Sequence, residues 1–157
     1  MNNKKFKSER VSKTATISLN GTIETIFPLF GAFEERNWAK GWNPVLIYPE
    51  IEIIEEGTTF KTKVKEKGEL GFIWIVTKYD PEKYGIQYLV TTENRFWTIT
   101  ITCHPLADGK TSARVNYTYT GLNESGNMIN KKAIQEMFRY DLKDWENEIN
   151  EYLLRKS

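Results

Sequence analysis

Residues 72–90 read FIWIVTKYDPEKYGIQYLV. Two runs rich in aromatic and β-branched residues flank Asp80-Pro81, and such residues suit the pleated, half-buried surface of a strand. Asp and Pro favour a tight reversal, so the stretch predicts an antiparallel hairpin. The same grammar extends both ways. Six segments, at about 45–54, 58–65, 70–79, 84–91, 95–104 and 112–121, are divided by Glu56-Gly57, Lys67-Gly68, Asp80-Pro81, Glu93-Asn94 and Asp108-Gly109. Short connections of this kind join antiparallel neighbours, because parallel strands need long crossovers. Residues 45–121 therefore read as a six-strand meander. In the 58–65 segment Phe60, Thr62 and Val64 face one way while Lys61, Lys63 and Lys65 face water.

Outside the meander the period changes. Residues 11–20 alternate, with Val11, Ala15, Ile17 and Leu19 on one face, and predict another strand. Asn20-Gly21 breaks it. Thr22 is placed as an N-cap, with Glu24 favoured by the helix dipole and Ile23, Ile26, Phe27 and Phe30 at helical spacing. Pro28 limits that helix to a short or kinked piece, and a second helical piece is expected around 31–37. In residues 126–155, Ile134, Phe138, Asp141/Leu142, Trp145, Ile149 and Tyr152/Leu153 recur every three or four positions. They form the apolar stripe of an amphipathic helix of about eight turns. Its large hydrophobic partner is the sheet, so the class is α+β with the helix on one sheet face.

The chain has 157 residues, the usual size of one domain, with residues 1–10 read as a flexible tail. The tail carries Lys4, Lys5, Lys7 and Arg10, either as solvated charge or as a binding arm. A net charge of +1 argues against a general grip on nucleic acid. No apolar run approaches the ~20 residues that span a bilayer. The polar first residues show no secretory signal, so a cytoplasmic protein is expected. Cys103 is the single cysteine, which excludes a disulfide framework.

The order β-α-α-β6-α resembles the helix-grip fold of the START-like (SRPBCC) superfamily, which includes the birch-pollen-allergen-like and polyketide cyclase/dehydrase-like proteins. Local wording agrees. TIETIFPLF (22–30) resembles the family's first helix, and GWNP (41–44) its Trp-x-Pro approach to the second strand. EGTTF (56–60) is similar to its Gly-x-x-Phe strand start, residues 72–90 to its Trp-x-Val-x-x-x-Asp-Pro hairpin, and TYTGLNESGN (118–127) to the lead into its last helix. The resemblance covers about residues 11–154. It implies a curved sheet of about seven strands gripping the helix, with space between them for a small apolar ligand. These motifs are structural and name no reaction.

No catalytic set, nucleotide loop or nucleophile elbow is present, and no cofactor is expected. One histidine, His104, excludes a metal site built from several histidines. Cys103 and His104 are strand neighbours and should point to opposite faces rather than pair. Asp141, Arg95, Arg114 and Glu93 are polar residues that matter if they enter a cavity, and are otherwise exposed or salt-bridged. The aromatic residues carry the candidate site. Trp38 and Trp42 flank the link into the second strand. Phe60, Trp74, Tyr88, Trp97, Tyr117 and Tyr119 can face the helix, and Met128, Met137, Phe138 and Asp141 would form the opposite wall. These residues line a ligand cavity or simply fill the core.

Three functions compete. The leading one is a non-catalytic carrier or sensor binding a small hydrophobic or aromatic molecule. The second is a polyketide cyclase or aromatase, which would need a pocket acid or base. The third is an interaction module modulating a chaperone or another enzyme, for which the two-sided apolar run at 72–76 would supply a surface. Oligomeric state is not legible in the sequence.

Overall fold

The computed structural model describes residues 5–63 and 71–156. Strand β1 (Arg10–Leu19) is followed by the short helix α1 (Ile23–Ile26) and two 3-10 turns, Phe27–Phe30 and Glu34–Asn37. Then come β2 (Val45–Tyr48), β3 (Thr59–Thr62), β4 (Phe72–Asp80), β5 (Gly85–Thr91), β6 (Arg95–Pro105) and β7 (Thr111–Gly121). The chain closes with helix α2 (Glu124–Glu136), a π turn (Met137–Asp141) and helix α3 (Leu142–Lys156). The strands form one curved, antiparallel, seven-stranded sheet in the order β1-β7-β6-β5-β4-β3-β2. The terminal helix lies over its inner face, α2 against β7 and β1, and α3 against β1. The α+β helix-grip expectation is met.

Alternation explains the long strands. In β6, Arg95, Trp97, Ile99, Ile101 and Cys103 are buried while the residues between them are not. β1 likewise turns Val11, Ala15, Ile17 and Leu19 inward. β1 is an edge strand, and α3 covers part of its edge. The Ser18 backbone N–H donates to Glu146 Oε2 at 2.8 Å and that of Asn20 to Asn150 Oδ1 at 2.8 Å. Paired this way, the end of the β1 edge is closed to other chains.

Several boundaries differ from expectation. The strand expected over 45–54 ends at Tyr48, where Pro49 has no N–H to continue the ladder. In the segment expected over 58–65, the strand covers Thr59–Thr62. Val64, Lys65 and the Lys67-Gly68 turn lie outside the described residues. In β4 the register slips between Val76 and Lys78. This bulge breaks the alternation and returns Tyr79 to the interior, where its ring stacks on Phe27 at 6.1 Å. Thr22 makes no side-chain cap, although its carbonyl accepts from the Ile26 N–H at 2.9 Å. Residues 7–9 bond to the end of β7 and to α2. Ser8 Oγ donates to the Gly121 carbonyl at 2.6 Å, and the Asn127 amide joins the Lys7 carbonyl and the Glu9 N–H at 3.0 Å each.

The terminal helix is not one regular α-helix. Leu142 N–H reaches the Met137 carbonyl five residues back, which makes the π turn. The apolar stripe explains why. Ile134, Phe138, Leu142, Trp145 and Ile149 span 15 residues in four steps, or 3.75 per step. An α-helix has 3.6 residues per turn, so the stripe would drift off the sheet. One wide turn in its middle restores the phase.

Candidate functional site

The inner face of the sheet is an aromatic wall. Trp42, Phe60, Trp74 and Tyr88 form one group, with centroids 5.2 Å apart for Trp42–Trp74, 5.5 Å for Phe60–Trp74 and 6.2 Å for Phe60–Tyr88. Trp97, Tyr119 and Tyr117 form another, at 5.4 and 5.7 Å. Trp145 of α3 sits among Tyr117, Trp38 and Phe30, at 6.3, 6.1 and 6.4 Å. Offset and edge-on rings at such spacings attract beyond their buried area. Phe138, in the π turn, meets Tyr117 edge-on at 6.0 Å.

Of the residues singled out from sequence, Trp38, Phe60, Tyr88, Trp97, Tyr117 and Tyr119 are buried. Trp42, Trp74, Met137, Phe138 and Asp141 are partly buried against the same interior. Met128 is a correction: it is 72% exposed and forms no wall. α2 turns Asn127, Asn130 and Ile134 inward, and Met128 stands about half a turn from Asn130. Cys103 is buried and His104 exposed, as strand alternation requires. Burial pushes the Cys103 thiol up to about 12, so it is inert as a nucleophile. Arg114 and Glu93 are exposed. The run at 72–76 is half-buried to buried, so it is not a surface patch; Val45, Ile47, Tyr48, Ile51 and Ile53 are the exposed apolar residues of this edge.

Polar tips divide into two sets. The Trp38 and Trp42 indole N–H groups donate to the carbonyls of Leu29 (2.8 Å) and Ala32 (2.6 Å), and the Tyr88 hydroxyl donates to the Phe30 carbonyl at 2.8 Å. The two indole bonds brace the segment between α1 and β2 internally, and the Tyr88 bond fastens it to the sheet. Among the described residues, the Tyr117 and Tyr119 hydroxyls make no hydrogen bond. Burial raises the pKa of all three phenols. Arg95 is buried, stacks on Trp97 with its guanidinium carbon 4.5 Å from the ring centroid, and donates to Asn130 Oδ1 at 3.3 Å. The Asn130 Nδ2 is buried without a partner.

Two charged residues of this face were missed. Glu35 is the one residue of the Glu34–Asn37 turn that is not exposed. Its carboxyl makes no hydrogen bond among the described residues, and burial holds its pKa well above the usual carboxylate range. Its charge also contributes to raising Tyr88 and Tyr117, which places it toward the wall. The residue sits in an irregular turn with no period to mark its inward side. Lys13 pairs with Tyr117 across β1 and β7, so the two side chains share a face. Here a signal existed, because Lys13 stands in the inward phase between Val11 and Ala15. Beside it a depression of about 520 Å3 opens between Lys13, Gln135, Phe138 and Arg139, at the β1 edge of the sheet–helix interface.

Seven antiparallel strands curved onto a terminal helix, with an aromatic inner wall, define the START-like, helix-grip class. The chain belongs to the polyketide cyclase / dehydrase and lipid transport family, whose sequence profile matches residues 10–147. Solved structures share the fold at low identity. A norcoclaurine synthase point mutant from Thalictrum flavum superposes with a TM-score of 0.71 at 12% identity, covering 98% of this chain and 100% of that one. An uncharacterised protein from Rhizobium leguminosarum gives 0.68 at 15% identity, covering 97% and 99%. Ara h 8.0201 gives 0.62 at 14% identity, covering 95% and 99%. No curated protein matches the chain in sequence. No helix among the described residues is long and apolar enough to cross a membrane.

Proposed function

We propose that this chain is a carrier or sensor that binds a small hydrophobic or aromatic molecule between the sheet and the terminal helix. The observation that carries this reading is the depression at the β1 edge. It is floored by Phe138, whose ring touches Tyr117, a wall residue with an unbonded hydroxyl. Its lining sets one aromatic ring, Phe138, among three polar side chains, Lys13, Gln135 and Arg139, and about 520 Å3 has room for a small molecule. Family membership supports the same reading. A ligand of about 20 heavy atoms, at roughly −0.3 kcal/mol per atom, gains ~6 kcal/mol, or tens of micromolar.

Titration with the neutral fluorophore N-phenyl-1-naphthylamine tests it, alongside native mass spectrometry of the purified protein for co-purifying ligand. Saturable binding of about one molecule per chain is expected. A linear, non-saturating response to this probe and to a lipid panel overturns the reading.

A cyclase or aromatase is the second reading, favoured by Glu35. A desolvated carboxyl that holds its proton more tightly than usual is a candidate general acid or base. Loss of turnover in Glu35→Gln on a polyketide-like substrate, with binding retained, would support it. No turnover by the native protein of any such substrate that it binds counts against it.

A further inference from the structure

We propose that the opening at the β1 edge selects a small amphipathic anion, an apolar or aromatic body bearing a carboxylate or sulfonate. Lys13 and Arg139 hold the anionic group at the rim while the body covers Phe138. This rests on the ligand-binding reading and adds the ligand's charge.

Three observations converge. First, Lys13 occupies an inward position of β1, in phase with Val11, Ala15, Ile17 and Leu19 and on the same face as Tyr117. The Lys13 side chain is exposed, so the cation stands at the solvent margin of the inner face. Second, the helix brings Arg139 and Gln135 to the same opening. Third, among the described residues neither Lys13 nor Arg139 makes an ion pair, whereas the nearby Lys131 and Lys132 are paired with Glu9 and Glu136. Asp141, within the π turn, has a partner of its own. Arg139 rests against the Tyr140 ring, 6.0 Å from its centroid. The chain as a whole is almost neutral, at +1, so two unpaired cations at one opening are not a by-product of a basic surface. Two cations beside an aromatic ring complement an anionic head on an apolar body; both side chains are exposed, so their attraction is that of surface charges and is weakened by salt.

An inward lysine also guards an edge strand against pairing with another chain. That role makes no use of Arg139 and gives no preference for an anion.

The test compares 8-anilinonaphthalene-1-sulfonate with N-phenyl-1-naphthylamine, the same ring system without the sulfonate. Both are titrated into the native chain, the double variant Lys13→Gln/Arg139→Gln, and a control, Lys78→Gln, altered at an exposed position of β4. The native chain and the control should bind the sulfonate about tenfold more tightly at low salt, with the advantage shrinking as salt screens it. The double variant should bind both probes alike. Equal binding by the native chain, a preference that survives in the double variant, or one that Lys78→Gln also removes, overturns the anion proposal and leaves ligand binding standing. If neither probe binds saturably, the anion proposal falls, and ligand binding falls with it when the lipid panel also fails to saturate.

Discussion

Glu35 shows how a single side chain acquires its chemistry from where the backbone aims it. Its neighbours Glu34, Arg36 and Asn37 are solvated, and Arg36 pairs with Glu52. Glu35 alone loses water without gaining a hydrogen bond, so its neutral form is favoured. The linkage has a definite sign. In the unfolded chain Glu35 ionises in the ordinary carboxylate range, while the folded chain holds the proton to higher pH. Between those two values the folded state binds more protons, so stability falls as pH rises. Glu35→Gln removes this term. Denaturant melts across that pH window should show the variant gaining on the native chain as pH rises, and parallel curves would mean that Glu35 is solvated. The paired contrast is Cys103 beside His104, where alternation alone decided that one is buried and the other exposed. Strand residues were legible one by one because a period of two assigns each to a face. Glu35 was not, because nothing in GAFEERN says which residue of an irregular turn looks inward.

At the level of elements, the docking of α2 depends on a residue the sequence left unremarked. Asn123 caps the helix, accepting from the Gly126 N–H at 2.8 Å. Gly126 itself lies against the β5–β6 turn. A Cβ there would stand 1.8 Å from the Asn94 carbonyl oxygen, a backbone atom that cannot rotate away. Gly126→Ala should therefore cost about 3 kcal/mol or more, by forcing α2 off the sheet end. Urea denaturation reads this directly, and a loss below about 0.5 kcal/mol would show that the approach is not tight. Gly→Ala inside a helix normally stabilises it, so the sign of the effect separates docking from propensity. The π turn belongs to the same scale. Its cause is the 3.75-residue spacing of the stripe from Ile134 to Ile149, already present in the sequence. The reading as one regular helix overlooked how far that spacing exceeds the α-helical period.

Across the whole molecule, Trp145 ties three regions together: Phe30 and Trp38 from the segment after β1, Tyr117 from the sheet, and the terminal helix. Trp145→Ala should lower stability by about 3 kcal/mol and also loosen Trp38. Denaturation measures the first effect and near-ultraviolet circular dichroism the second. A change under about 1 kcal/mol would mean that the helix is held by its other contacts. The sequence by itself determined the antiparallel meander, the inward phase of β1 and the amphipathic helix that covers the sheet, because periods of two and of about 3.6 are local properties of the backbone. The place of β1 beside β7 and the bulge that turns Tyr79 inward came from the tertiary structure. Tertiary structure alone decided that Met128 faces water, that Glu35 faces the interior, and that Lys13 meets Arg139 at one opening. Those facts depend on how sheet curvature and helix rotation bring distant residues together, and no local period encodes either.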